Sequence, residues 1–245
     1  MIGQQIQDFA RNGKKLFAVL IDPDKYDEHS LIDLASRARK SEVHYFFVGG
    51  SLMTTEKFDQ TIQILKSISD IPVVIFPGSN VQISEKADGI LLLSLISGRN
   101  PEYLIGQHVV AAPYLKKAKL EIIPTGYILI EGKNSTTANY MSNTLPIPAD
   151  KAEIAACTAM AGEMLGLKMI YMDGGSGAGS VISSKMIETV KKQIDIPLIV
   201  GGGICNAEQA QAVWMAGADV VVVGNALEKD PSLIHEISNQ LKTLI

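Results

Sequence analysis

The chain has 245 residues, 47% of them apolar, which suits one large domain over residues 1–245; a single α/β barrel needs roughly 250 residues. The 22 lysines and arginines are spread along the chain against 26 aspartates and glutamates, for a net charge of −4, and this excludes a nucleic-acid-binding surface. Cys157 and Cys205 show no metal-type spacing, residues 1–15 carry no signal-peptide pattern, and no apolar run approaches bilayer length. The expectation is a reduced, cytoplasmic setting, with lipid reached only through a groove or by transient contact at a membrane surface.

In chain order, residues 2–11 read as a short helix ended by Asn12-Gly13. Residues 16–21, Leu-Phe-Ala-Val-Leu-Ile, are apolar throughout, as expected of a parallel strand buried on both faces. Asp22-Pro23-Asp24-Lys25 follows, placing two carboxylates and an ammonium at the strand mouth. Asp22 reads either as a site residue or as the cap of a helix over residues 30–39. Residues 44–48 form the second strand, with Gly49-Gly50-Ser51 at its mouth, and residues 57–69 a helix. The third strand, residues 72–76, is followed by Pro77-Gly78-Ser79. The fourth, residues 89–93, arrives so soon that the third barrel helix is expected to be reduced or missing.

Ser97-Gly98-Arg99-Asn100-Pro101 follows the fourth strand; Arg99 reads as an anion contact or as a solvated loop arginine. Residues 101–119 read as a helix and 120–130 as the fifth strand. Residues 134–148, rich in Ser, Thr and Asn, read as a long loop or lid. Residues 149–165 form an alanine-rich helix. Trp214, on a helix over residues 206–216, reads as a partner contact or as core.

The last three strands share one ending. Met169-Ile170 leads into Tyr171-Met172-Asp173-Gly174-Gly175-Ser176-Gly177-Ala178-Gly179; residues 197–200 lead into Gly201-Gly202-Gly203-Ile204; residues 219–223 lead into Gly224-Asn225. Glycine lets backbone approach a ligand closely, and consecutive free N–H groups form an anion cradle. In a (β/α)8 barrel the loops after strands 7 and 8 commonly hold phosphate. There is no Gly-x-Gly-x-x-Gly opening a first βαβ unit, no Gly-x4-Gly-Lys-Ser/Thr and no histidine pair at ligand spacing. A phosphate cup, strand-end carboxylates and an apolar interior remain, and oxygen ligands favour a hard cation such as Mg²⁺.

The motifs from Leu20-Ile-Asp-Pro-Asp-Lys25 through Val48-Gly-Gly-Ser51, Phe76-Pro-Gly-Ser79 and Ser97-Gly-Arg-Asn-Pro101 to the three glycine-ended strands resemble, in order, those of the geranylgeranylglyceryl phosphate synthases. The resemblance covers residues 20–225. It implies a TIM barrel with a modified third helix and a prenyltransferase of ether-lipid biosynthesis. Such an enzyme joins a prenyl diphosphate to sn-glycerol 1-phosphate with Mg²⁺ as cofactor. It further implies Asp22 and Ser51 as metal positions, and Tyr171, Met172, Asp173, Gly174, Gly175, Ser176, Gly177, Gly202, Gly203, Gly224 and Asn225 at the glycerol-phosphate site.

Asp173 and Tyr171 are the expected catalytic pair, and Lys25 and Arg99 the expected diphosphate contacts. Tyr127 and the loop 134–148 are expected to wall a prenyl groove. A homo-oligomer is expected, as family barrels often assemble. The chain departs from the family twice: Asp173 stands where Glu is more frequent, and Leu20 where the heptaprenyl branch carries Lys. The second departure favours the geranylgeranyl branch. The alternatives are a longer prenyl diphosphate or another phosphate-binding barrel enzyme.

Overall fold

The structure, a computed structural model, describes residues 1–244. Eight parallel strands close into a barrel in sequence order. They are β1 (Leu16–Ile21), β2 (Tyr45–Val48), β3 (Val73–Ile75), β4 (Gly89–Leu95), β5 (Glu121–Leu129), β6 (Met169–Asp173), β7 (Leu198–Gly201) and β8 (Val220–Val223). Closure is direct: Ala18 of β1 lies opposite Tyr45 of β2 on one side and Val222 of β8 on the other.

Two apolar sets alternate along each strand. Leu16, Ala18, Tyr45, Phe47, Tyr171 and Val222 fill the barrel interior. Phe17, Val19, Phe46, Val48, Met172 and Val221 face outward against the helices. Strands buried on both faces therefore read as unbroken apolar runs, and each fully buried large side chain contributes about 1.5–3 kcal/mol.

The helix α1 (Ile2–Arg11) lies across the bottom of the barrel, where Ile2 and Ile6 join the interior cluster. The Glu121 carboxylate, at the start of β5, accepts hydrogen bonds from the Ile2 and Gly3 N–H groups at 2.5 and 2.8 Å. It thereby satisfies two donors that a helix start leaves unpaired. Higher up, α2 (Glu28–Arg39) follows β1 and α3 (Phe58–Ile68) follows β2. No helix follows β3: residues 76–88 form only turns, so the third helix is missing, as its short sequence span implies.

Gln82, 2% exposed, organises the replacement segment. Its amide donates to the Gly50 carbonyl at 2.7 Å and accepts from the Gly78 and Gly50 N–H groups. The loops come so close that a Cβ on Gly78 would stand 2.1 Å from the Gly50 carbonyl oxygen.

The helix expected over 101–119 divides into a π-helical turn, Glu102–Gly106, and α4 (Gln107–Ala118). The loop expected over 134–148 is partly ordered into α5 (Thr137–Ser142), whose start is capped by the Thr136 hydroxyl, and Ile147 bridges to Ile130 beside β5. The remaining helices are α6 (Ala152–Met164), α7 (Ser184–Lys191), α8 (Ala207–Met215), α9 (Asn225–Lys229) and α10 (Leu233–Lys242). Trp214 is core rather than surface: it is 1% exposed, and its indole N–H donates to the Leu16 carbonyl at 3.0 Å. No helix among the described residues is long and apolar enough to cross a membrane.

Candidate active site

The C-terminal ends of the strands carry three neighbouring features. The first is the glycine cup. Gly175, Gly177, Gly202 and Gly203 all adopt positive φ, between 75° and 86°, which L side chains rarely tolerate. At Gly202 and Gly203 the need for glycine is also steric. A Cβ on Gly202 would lie 2.7 Å from Asp173 Oδ1, and one on Gly203 would lie 2.1 Å from the Ser180 carbonyl oxygen. Ser176 donates to Asn225 Oδ1 at 3.0 Å, which joins the loops after β6 and β8 and leaves the Asn225 amide N–H groups free to donate. Successive glycine N–H groups in such a turn form an anion-binding concavity.

The second feature is a buried acid. Tyr171 and Asp173 lie two apart in β6 and both point inward, as strand periodicity requires. Asp173 is 8% exposed; its Oδ1 accepts from the Gly175 N–H at 2.6 Å and its Oδ2 from the Tyr127 hydroxyl. Burial raises the Asp173 pKa, against the opposing effect of the Tyr127 and Gly175 hydrogen bonds. Burial, together with the Asp173 charge, also keeps the Tyr127 phenol protonated. Tyr171 lies one layer lower. It is 1% exposed and stacked on Phe76 with ring centroids 5.0 Å apart. Its hydroxyl crosses Gly201 so closely that a Cβ there would stand 2.5 Å away.

The third feature is the mouth of β1 and β2. Asp22 Oδ1 accepts from the Asp24 N–H at 3.0 Å and so caps the 3-10 turn Pro23–Lys25. The helix α2 has its own cap, Asp27, whose carboxylate accepts from the Ser30 N–H at 2.8 Å. The Asp22 carboxylate lies against Gly50, where a Cβ would stand 3.2 Å from Oδ1, and Ser51 follows directly. Burial and the Asp24 charge raise the Asp22 pKa, while the Asp24 N–H and Lys25 oppose the shift. Asp24 accepts from the Thr54 N–H at 2.6 Å and from the Thr54 and Thr55 hydroxyls, which pins the loop after β2. Lys25 is exposed beside Asp22, whereas exposed Arg99 folds back on its own loop and donates to the Gly98 carbonyl at 3.2 Å.

An apolar groove of ≈ 940 Å³, its open mouth included, starts beside the third feature and reaches Tyr127, the partner of the buried acid. It begins at Gly50 and Ser51, passes Tyr127, and ends against Ala111 and Leu115 of α4. It runs through the space left by the missing third helix. Met141 and Ser142 of α5 wall its upper side, as expected for the 134–148 segment. Sequence reasoning missed Gln82, the use of Asp24 as a loop anchor and the Tyr127–Asp173 bond. Only the last had a signal: Tyr127 and Tyr171 lie opposite each other in the pairing of the two adjacent strands.

A closed parallel barrel with a glycine cup over strands 6 to 8, a buried acid and an apolar groove in place of one helix defines a TIM barrel with a polar and an apolar region at the C-terminal ends of its strands. The chain belongs to the PcrB family, that of the geranylgeranylglyceryl phosphate synthases; the family pattern matches residues 10–242. It is 55% identical to the geranylgeranylglyceryl phosphate synthase of Chitinophaga pinensis, over 95% of this chain and 92% of that protein. It is 40% identical to that of Pyrococcus furiosus, over 94% and 91% of the two chains. The crystal structure of (S)-3-O-geranylgeranylglyceryl phosphate synthase from Thermoplasma acidophilum, in complex with its substrate sn-glycerol-1-phosphate, superposes with a TM-score of 0.93. It is 32% identical and covers 99% of each chain.

Proposed function

We propose that this enzyme transfers a geranylgeranyl group from its diphosphate to sn-glycerol 1-phosphate, forming an ether and releasing diphosphate, as a step of ether-lipid synthesis. The observation that carries this reading is the groove leading from Ser51, past Tyr127, whose hydroxyl donates to Asp173, to the apolar floor at Leu115. The prenyl tail lies along that floor. The glycerol phosphate sits in the cup of Gly175, Ser176, Gly177, Gly202, Gly203, Gly224 and Asn225, and its hydroxyls come within reach of Asp173.

Cleavage of the bond between the prenyl C1 and the diphosphate oxygen sends the electron pair out with the diphosphate. The glycerol hydroxyl oxygen then bonds to C1. Its proton passes to Asp173, which Tyr127 and the Gly175 N–H hold in place; such assistance typically contributes about 10²–10⁴-fold. Tyr171 supports this pair from below. The raised pKa of Asp173 makes it a stronger base than an exposed aspartate, provided the pH lies above that pKa.

Mg²⁺ fits the mouth of β1 and β2: its donors there are oxygens, and Gly50 leaves open the side of the Asp22 carboxylate that a Cβ would crowd. Asp22 and Ser51 would hold it, with Lys25 nearby. When bound it neutralises charge on the departing diphosphate. The reading includes a cytoplasmic enzyme that meets the membrane surface transiently and assembles as a homo-oligomer.

The test is incubation with glycerol 1-phosphate and prenyl diphosphates of several lengths, read by product mass. The expected product carries the twenty-carbon prenyl group. A preference for a longer diphosphate would move the enzyme to the other branch, and no ether with any diphosphate would refute the assignment.

A further inference from the structure

The helix α4 carries apolar side chains outward as well as inward. Inward, Ala111 and Leu115 close the end of the apolar groove. Outward, a helix packed on a barrel normally presents polar residues. Here Val109, Val110 and Tyr114 are instead each more than half exposed. They stand in two adjacent rows, Val109–Pro113–Lys116 and Val110–Tyr114–Lys117, because residues three and four apart are neighbours on a helix surface. A second groove, ≈ 1020 Å³ with its open mouth, is lined by Val110 and Tyr114 of α4 and by Val81 and Ile83 of the segment that replaces the third helix. Val81 is 80% exposed and extends the apolar surface beyond the helix. The second groove shares Asn80 and Ile83 with the first, so the two lie on either side of one thin wall.

The charge beside this surface has one dominant sign. Lys116, Lys117 and Lys119 cluster at the end of α4, all exposed, and none joins an ion pair among the described residues. The chain has no carboxylate between Glu102 and Glu121, and Glu85 alone of the described carboxylates lines the second groove. In a chain of net charge −4 this is a local reversal. Exposed apolar side chains beside unpaired lysines match an anionic bilayer: the apolar groups enter the headgroup region and the ammonium groups meet lipid phosphates. A second copy of the chain, docked on the same face, would cover the apolar rows but bring the same unpaired lysines to the contact.

We propose that the outer face of α4, with the second groove beside it, docks on a membrane surface rich in anionic lipid. The inference rests on the transient membrane contact included in the proposed function and names the face that makes it. Docking there sets the wall of the prenyl groove against the bilayer in which a prenyl tail dissolves, so the tail passes into its groove with little exposure to water.

The test is flotation of the full chain, without substrate, with vesicles of equal parts phosphatidylcholine and phosphatidylglycerol, compared with phosphatidylcholine alone. The wild type is expected to bind the anionic vesicles about tenfold more tightly, and added salt to remove most of that difference. Val110→Glu/Tyr114→Glu and Lys116→Glu/Lys117→Glu are each expected to weaken binding to the anionic vesicles about tenfold or more. Turnover of detergent-dispersed prenyl diphosphate stays unchanged in both, because none of these four residues lines the prenyl groove. Failure of the wild type to float, equal binding to both kinds of vesicle, or unchanged flotation of either folded double variant overturns the proposal. If a double variant lowers the oligomeric state in sedimentation velocity while the wild type ignores vesicles, the face belongs to a second copy and the proposal falls as well. Where Val110→Glu/Tyr114→Glu does not fold, Tyr114→Ser is judged by the same criterion. Vesicle binding as expected, with no ether product from the wild type, upholds the docking face while refuting the proposed reaction.

Discussion

The ends of β6, β7 and β8 and the flank between β3 and β4 are built in opposite ways. The first region offers backbone: glycines at positive φ, loops that touch each other, and a donor set of N–H groups with one asparagine amide. The second offers side chains: Ile83, Ile90, Leu92, Ala111 and Leu115 line space that a regular barrel fills with its third helix. On the proposed function, one barrel holds a polar head where side chains are absent and an apolar tail where a helix is absent. Tyr127 joins the two regions, because it lines the groove and hydrogen-bonds Asp173.

The most damaging test of this division is at Asp22, beside the Gly50–Ser51 end of the groove. Asp22→Asn is expected to lower the turnover number about a thousandfold, equivalent to about 4 kcal/mol, while glycerol 1-phosphate affinity holds. Steady-state rates and calorimetric binding check it, and a parallel loss of glycerol-phosphate affinity would mean that the two ends are not separate.

Next is the joint itself. Asp173→Asn is expected to lower the turnover number about a hundredfold without shifting the Michaelis constant for the prenyl diphosphate. The pH dependence has a definite sign. Because the folded-state pKa of Asp173 is raised, the acid limb of the turnover–pH profile should lie above the ordinary aspartate value of about 3.9. Between that value and the raised one, the folded state binds more protons than the unfolded state, so this group's contribution to stability falls as pH rises. Asp173→Asn removes that cost, and its melting temperature at neutral pH should hold or increase. A lower melting temperature with near-normal turnover would make Asp173 a turn brace instead.

A smaller effect sharpens the other half. Ala111→Phe on α4 puts a ring into the far end of the groove. It should shift the ratio of kcat/KM values toward shorter prenyl diphosphates by about tenfold, the scale at which a pocket discriminates by size. An unchanged length profile would place the tail elsewhere. The smallest effect touches neither half. Glu121→Ala removes the acceptor of the first two helical N–H groups and should cost about 1 kcal/mol in denaturant melts, with kcat/KM unaltered.

Most of the barrel was legible because its strands are buried on both faces, so apolar runs such as residues 16–21 and 197–200 mark them without reference to partners. The missing third helix was legible as a simple shortage of residues between Ile75 and Gly89. The glycine cup was legible because a close approach of backbone leaves a compositional trace. What stayed hidden depends on contacts distant in the chain. Gln82 looks like any loop glutamine until the Gly50 carbonyl is beside it, and Asp24 reads only as one of two carboxylates at a strand mouth until Thr54 and Thr55 arrive. The split of the 101–119 helix depends on packing that no single-residue preference records.

The strap between α1 and β5 bears on how the molecule assembles. The Ile2 N–H and its Glu121 acceptor are 119 positions apart. The helix therefore cannot be secured at the barrel floor until half of the cylinder exists, and the seam between β1 and β8 closes only once the last strand is in place. Both ends of the ring wait on long-range pairing, which is slow to form because loop closure must come before any contact rewards it. The floor helix thus acts as a late latch, and its amides should gain protection from hydrogen exchange no earlier than those of β5 during refolding.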